Sequence, residues 1–117
     1  MNYGEKIESI NAMIREIDNI YMDICRTDSE KAYTALSKIL TDIAGYMTEF
    51  MEKIPVLKQY SIDIPQEVLL SQLQNLLEAF ENRDYVMMAD TLHYEINDSL
   101  QFYVEIMEEC KKENLQL

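Results

Sequence analysis

The sequence predicts an all-α domain, an antiparallel up-down-up-down four-helix bundle formed by residues 1–117 as a single unit. Apolar residues recur along most of the chain at the three- and four-residue steps of an amphipathic helix. Only two glycines and two prolines occur in 117 residues, and both prolines, Pro55 and Pro65, fall in one short stretch. Apolar residues make up 48% of the chain, which is enough for a hydrophobic core despite a net charge of −12.

The first predicted helix spans about residues 5–26. Its apolar positions step by three and four and form one helix face: Ile7, Ile10, Ile14, Ile17, Tyr21 and Ile24. Thr27 and Glu30 have the spacing of a capping box, in which the hydroxyl accepts from a backbone amide while the glutamate reaches back. We therefore expect the second helix to begin at about residue 28.

The second predicted helix spans about residues 28–54 and ends before Pro55. Its apolar face consists of Leu36, Leu40, Ile43, Met47, Phe50 and Ile54. An irregular connector is predicted over residues 55–64, because proline interrupts a helix interior and the last five connector residues alternate between apolar and polar. Pro65 then suits the first turn of the third helix.

The third and fourth predicted helices span about residues 65–81 and 84–113. The third buries leucines at three- and four-residue steps, and Asn82-Arg83-Asp84 reads as a tight turn with Asp84 as the N-cap of the fourth helix. Short turns make consecutive helices antiparallel neighbours, which predicts the up-down-up-down order. The alternative is a three-helix core that a helix from another subunit completes.

The charge balance argues against two classes of partner. Asp and Glu number 22 against 10 Lys and Arg, and the basic residues are scattered. Nucleic acids and anionic membranes both attract clustered basic residues, so we expect neither as a partner. The chain has no apolar run of the roughly 20 residues needed to cross a bilayer and no signal-peptide pattern at its start. We therefore expect a cytoplasmic location, with Cys25 and Cys110 as free thiols.

No catalytic motif stands out, so the sequence predicts neither an enzyme nor a cofactor. His93 is the only histidine, and with Asp90 it has the Asp-x-x-His spacing that places both side chains on one helix face. Di-iron bundles need two Glu-x-x-His motifs and further carboxylates. The single imidazole therefore favours no metal site.

A site for a partner protein is predicted from the unequal helix lengths. At 1.5 Å per residue the third helix spans about 25 Å and the fourth about 40 Å, which leaves apolar surface uncovered at one end. Flexible methionines suit a surface that binds amphipathic helices. The predicted site is a groove between the second and fourth helices, near the connector. Its predicted partner-binding residues are Met47, Phe50, Met51, Ile54, Val56, Leu57 and Met107. The alternative is a structural homodimer that buries the same surface.

One segment of the fourth helix carries a resemblance to small helical proteins of the Firmicutes. Asp84-Tyr85-Val86-Met87-Met88-Ala89-Asp90-Thr91-Leu92-His93-Tyr94-Glu95-Ile96 resembles a segment of these proteins with an Asp-Tyr, apolar pair, Ala-Asp, apolar, Tyr-Glu pattern. The resemblance implies no activity. It leaves Asp90, Tyr94 and Glu95 as a candidate polar cluster, serving either as a network between helices or as part of a partner surface.

Two looser resemblances imply specific functions. In size, acidity and helix content the chain is similar to bacterial flagellar export chaperones, which hold an aggregation-prone segment of an axial subunit in an apolar groove. Ile14-Arg15-Glu16-Ile17-Asp18 followed by Arg26 resembles the first helix of all-helical chorismate mutases. That resemblance implies a dicarboxylate substrate bound by several arginines and lysines that line a helical interior, and Arg15, Arg26 and Arg83 are the available arginines.

Overall fold

The computed structural model describes residues 2–117 and confirms the predicted all-α, antiparallel four-helix bundle. Helix α1 (Tyr3–Cys25) begins two residues before the predicted boundary. The Asn2 side chain caps this helix, because its oxygen accepts a hydrogen bond from the Glu5 amide at 3.1 Å. The predicted apolar face supplies much of the buried face of α1: Ile10, Ile14 and Ile17.

Helix α2 (Ser29–Gln59) does not begin with the predicted capping box. Thr27 has a left-handed backbone (φ 63°), and its hydroxyl donates to the Arg26 carbonyl at 2.6 Å instead of accepting from an amide of α2. The Glu30 carboxylate accepts a hydrogen bond from the Tyr85 hydroxyl at 3.2 Å, on another helix. The capping-box prediction is therefore wrong, although the helix starts within one residue of the predicted position.

Helix α2 also continues through Pro55, where the sequence predicted the end of the helix and an irregular connector over residues 55–64. A proline inside a helix removes one backbone hydrogen bond and crowds the preceding turn. Here the fully buried Phe50 and Leu57 hold the chain on both sides of Pro55, and the proline itself is exposed. Tertiary packing outweighs the local preference, so the connector shortens to residues 60–65.

Helix α3 (Gln66–Glu81) follows Pro65, which occupies the N-cap position with an extended backbone rather than the first helical turn. The turn after α3 has the predicted form, with Arg83 in a left-handed conformation (φ 50°). The Asp84 side chain accepts a hydrogen bond from the Met87 amide at 3.1 Å, which confirms it as the N-cap of the next helix.

Stacked side chains hold this turn against the start of α2. The Arg83 guanidinium lies 4.1 Å from the centre of the Tyr33 ring, and Tyr33 stacks on Phe80 with ring centres 4.5 Å apart. The Glu30 carboxylate accepts from Arg83 at 3.3 Å and from Tyr85 at 3.2 Å. The Arg83–Glu30 ion pair is exposed and contributes little to stability by itself. The contact of this turn with α2 is therefore stabilised mainly by the aromatic stacking.

The fourth helix of the bundle, predicted as one α-helix over residues 84–113, consists of three segments. They are α4 (Tyr85–Thr91), a π-helical turn (Leu92–Ile96) and α5 (Asn97–Lys112). The buried residues here follow one another in three successive steps of four: Met88, Leu92, Ile96 and Leu100. Each step of four overshoots a full α-helical turn by about 40°. The wider π turn cancels this drift, so all four side chains stay in the core.

The helices lie beside their neighbours in the chain and enclose one core. α1 contacts α2 and α5, α2 contacts α3, and α3 contacts α4 and the π turn. The described residues form a rod with extents of 44 × 26 × 19 Å. Within residues 2–117 no helix combines the length and the apolar content that crossing a membrane requires.

Candidate functional site

Four of the seven predicted partner-binding residues lie in the centre of the bundle. Each of them has no exposed surface: Met47, Phe50, Leu57 and Met107. Phe50 stacks on Tyr103 with ring centres 4.6 Å apart, and Tyr103 is also fully buried. These four residues belong to the core of the single chain, so they are not accessible to a partner in this conformation.

The other three predicted partner-binding residues, Met51, Ile54 and Val56, are half-buried on α2. The prediction of an open groove between the second and fourth helices rested on the short third helix. The chain covers much of that end itself, because α2 continues to Gln59 and Ile64 of the connector is buried. The predicted groove is therefore not open in the structure.

A segment that follows α5, residues Glu113–Leu117 and here called the strap, also crosses this end of the bundle. Asn114 has a left-handed backbone (φ 57°), and the Leu115 amide donates to the Cys110 carbonyl at 2.8 Å. This pattern closes the end of a helix and turns the chain away from its axis. The strap then runs back toward the start of α1 and the end of α2.

Three side chains from α1 and α2 bind the backbone of the strap. The Tyr3 hydroxyl donates to the Leu115 carbonyl at 2.6 Å and accepts from the Leu117 amide at 3.0 Å. Two further donors come from the end of α2: Tyr60 bonds the Gln116 carbonyl at 2.8 Å, and Lys53 bonds the backbone oxygen of Leu117 at 3.4 Å. Burial raises the pKa of Tyr3 above its ordinary value.

The predicted polar cluster lies at the π turn. Asp90 is exposed on α4, two residues before it, while Tyr94 and Glu95 are part of the π turn itself. Tyr94 is 64% exposed, and its ring is nearly perpendicular to the His93 ring, with ring centres 4.6 Å apart. Tyr94 is therefore the most accessible aromatic residue of this segment. In the described structure Asp90, Tyr94 and Glu95 do not form the predicted polar network with one another.

The π turn and the start of α5 are joined to α1 by contacts that the sequence did not predict. His93 stacks face to face on Tyr21 with ring centres 4.1 Å apart. The buried Asn97 amide donates to the Asp18 carboxylate at 2.6 Å. Hydrogen bonding to the Cys25 sulfur raises the pKa of Tyr21 to about 12. The three successive steps of four among the buried residues of this helix fit such a turn, but without the contacts to α1 this spacing does not distinguish it from a continuous α-helix.

A partly buried polar triad links α1, α2 and α5 at the edge of the core. The Glu49 carboxylate accepts from the Lys6 ammonium and from the Tyr103 hydroxyl, each at 2.8 Å. Burial, and then the Glu49 carboxylate, raise the pKa of Tyr103 well above its ordinary range. Glu49 therefore satisfies the one polar atom of a core tyrosine, which is a structural role.

The possible metal ligands and the arginines are dispersed over the described residues. Within residues 2–117 no three His, Cys, Asp or Glu side chains come together as a metal ion would require. The arginines of the mutase resemblance, Arg15, Arg26 and Arg83, are exposed on separate elements, and Arg83 is bound to Glu30. They do not line one interior site, so the requirement of that resemblance is not met.

The fold defines a small all-helical bundle domain. Its distinctive features are the π turn of the fourth helix and the strap at one end of the bundle. The chain matches the family described as a domain of unknown function (DUF8042) over residues 4–109, and it belongs to that family. No curated protein and no solved structure matches the chain.

Proposed function

We propose that this domain is a non-enzymatic, cytoplasmic protein that binds an amphipathic segment of a partner protein on the half formed by α3, α4, the π turn and α5. One observation carries the proposal. Seven large apolar or aromatic side chains are exposed in the described part of the chain, and six belong to this half: Val68, Leu70, Leu77, Val86, Tyr94 and Phe102. The seventh, Met22, lies on α1.

The charge of the same half indicates the kind of segment that fits it. Residues 66–112, which form this half, contain ten acidic residues and three basic ones, Arg83, Lys111 and Lys112. Arg83 is itself paired with Glu30. A basic amphipathic helix complements such a surface, because its apolar face can cover the exposed side chains while its lysines and arginines face the carboxylates.

Helix α3 is the centre of the proposed surface. It has no basic residue, and it exposes Leu70 and Leu77, which are seven residues apart and so share one face of the helix. Their exposed fractions are 42% and 41%. A partner helix lying along α3 would reach both leucines, as in the common binding mode of helix against helix.

The proposal is tested with Leu70→Ser/Leu77→Ser and a labelled synthetic helix of leucine and lysine as the probe. We expect the double variant to keep its helical circular dichroism and to bind the probe at least about tenfold more weakly, since two apolar contacts are lost. Met22→Ser is the matched control, because Met22 is also 42% exposed but lies on α1. Equal affinity of the double variant and the natural chain, or an equal loss in the control, would overturn the site.

The specific role that we propose for such a protein is that of an export chaperone, as the resemblance in size, acidity and helix content to flagellar export chaperones indicates. A purified axial subunit of a flagellum should then bind the natural chain and not Leu70→Ser/Leu77→Ser. Binding of the synthetic helix without binding of the axial subunit would keep the binding site and discard the flagellar role.

A further inference from the structure

The strap is bound in the way that proteins bind an extended peptide. Over residues 115–117 its side chains alternate between half-buried and exposed, with Leu115 and Leu117 packed against the core and Gln116 toward solvent. This alternation over three residues is that of an extended chain. The two leucines, two positions apart, are the apolar contacts that the strap makes.

The polar contacts are all directed at the backbone of the strap. Tyr3, Lys53 and Tyr60 hold four backbone atoms within three consecutive residues, at distances of 2.6 to 3.4 Å. Such contacts recognise an extended backbone whatever its side chains are, as in other modes of peptide recognition. The only side-chain requirement at this site is an apolar residue at each of the two inward positions.

We propose that this end of the bundle is a peptide-binding site whose resident ligand is the chain's own strap, and that it accepts in exchange an extended segment of another protein with leucine at positions i and i+2. The site is formed by Tyr3 at the start of α1 and by Lys53 and Tyr60 at the end of α2. It is distinct from the surface proposed above on the half formed by α3, α4, the π turn and α5, which is called the α3–α5 surface from here on.

The strap occupies the site in the free protein because it is covalently attached to α5. A segment attached directly to α5 competes with an effective concentration on the order of millimolar, so a free peptide with the same contacts binds weakly while the strap is seated. Displacement needs a partner segment that is tighter, or one that is held near the site by a second contact. Binding on the α3–α5 surface supplies such a second contact.

The test uses the full chain and a labelled peptide with the sequence of residues 113–117 as the probe. Leu115→Ser/Leu117→Ser removes the apolar contacts of the strap and frees the site. We expect this variant to bind the probe at least about tenfold more tightly than the natural chain, because the competition from the tethered strap is lost. Adding Tyr60→Phe should weaken the gained binding several-fold, since it removes the donor to the peptide carbonyl that corresponds to Gln116.

A probe with both leucines replaced by serine should bind neither protein. Asn114→Pro is a second way to unseat the strap, because proline cannot adopt the φ of 57° found at this position and both leucines are retained. If neither unseated variant binds the probe more tightly than the natural chain, the strap is only a structural cap and the proposal fails. Leu70→Ser/Leu77→Ser should leave this binding unchanged, which separates this site from the α3–α5 surface.

Discussion

At the residue scale, Tyr103 shows how a polar atom is accommodated in a largely apolar core. Its ring stacks on Phe50, and its hydroxyl donates to Glu49, which also accepts from Lys6. A buried hydroxyl without a partner is unfavourable by about 1–3 kcal/mol, so the carboxylate at the edge of the core is what allows a tyrosine at this position. The same burial and charge raise the pKa of Tyr103.

The first prediction concerns Tyr103→Phe. We expect it to lower the free energy of unfolding by about 1–2 kcal/mol at neutral pH, because Glu49 loses a hydrogen bond while the ring stack remains. Urea unfolding measures the change. Tyr94→Phe, at a 64% exposed position, is the control and should stay within about 0.5 kcal/mol of the natural chain.

The same variant should change the response to alkaline pH. A folded-state pKa above the unfolded value contributes stability below the unfolded pKa, and this stability is lost as pH rises beyond it. The natural chain should therefore lose up to about 1.4 kcal/mol per pH unit through Tyr103 above about pH 10. Tyr103→Phe should show a shallower loss over that range. Parallel slopes for the two proteins would contradict the role of burial at Tyr103.

At the scale of the element, the π turn keeps the fourth helix in register with the core. Without it, the three steps of four from Met88 to Leu100 would carry the later buried residues off the core face. The turn also makes an unfavourable contribution to the free energy of folding, because His93 Nδ1 and Asn97 Oδ1 are buried without a hydrogen-bond partner among residues 2–117. The stack of His93 on Tyr21 offsets part of this term.

The second prediction follows from the extra residue that a π turn accommodates. Deleting Tyr94 should convert the segment to α-helix, with steps of three and four, and leave the later core residues in place. We expect cooperative urea unfolding to persist, with a loss of no more than about 2 kcal/mol. Deleting Arg15, an exposed residue of the uninterrupted α1, should abolish cooperative unfolding, because it rotates Ile17 and Ile20 by about 100° away from the core.

The test compares the loss of stability caused by deleting Tyr94 with that caused by deleting Arg15. If deleting Tyr94 is as damaging as deleting Arg15, the π turn is not a one-residue insertion that the core tolerates. If the Tyr94 deletion also breaks the Tyr21–His93 contact, the near-ultraviolet circular dichroism of the tyrosines should change.

At the scale of the whole molecule, the excess of negative charge is greater in the α3–α5 half. Residues 66–112 contain ten carboxylates and three basic residues, while seven of the ten basic residues lie outside that range. Two copies that meet through the α3–α5 half bring like charges together, which disfavours self-association through that surface. A basic partner segment meets no such repulsion.

The third prediction is that the protein stays a monomer of 13.8 kDa at low ionic strength. At about 0.01 M salt the Debye length is about 30 Å, so the repulsion between acidic halves is at its strongest. Sedimentation equilibrium measures the mass. A dimer mass that persists on dilution under these conditions would favour the structural homodimer over the binding protein proposed here.

Much of the architecture could be predicted from the sequence, because amphipathic periodicity is a local property. The four helices, the turn at Arg83 and the N-cap at Asp84 all follow from residues close together in the chain. The candidate sites could not be predicted in this way. Whether Met47 or Leu57 faces a partner or the core depends on what fills the space beside them.

The sequence by itself therefore determined the all-α class, the number of helices and their antiparallel order. Only the tertiary structure decided that α2 passes through Pro55, that the fourth helix contains a π turn, and that the strap covers one end of the bundle. The physical reason is common to all three. Each is a local conformation that becomes favourable only when side chains distant in sequence supply burial or hydrogen bonds, and a local pattern contains no information about those neighbours.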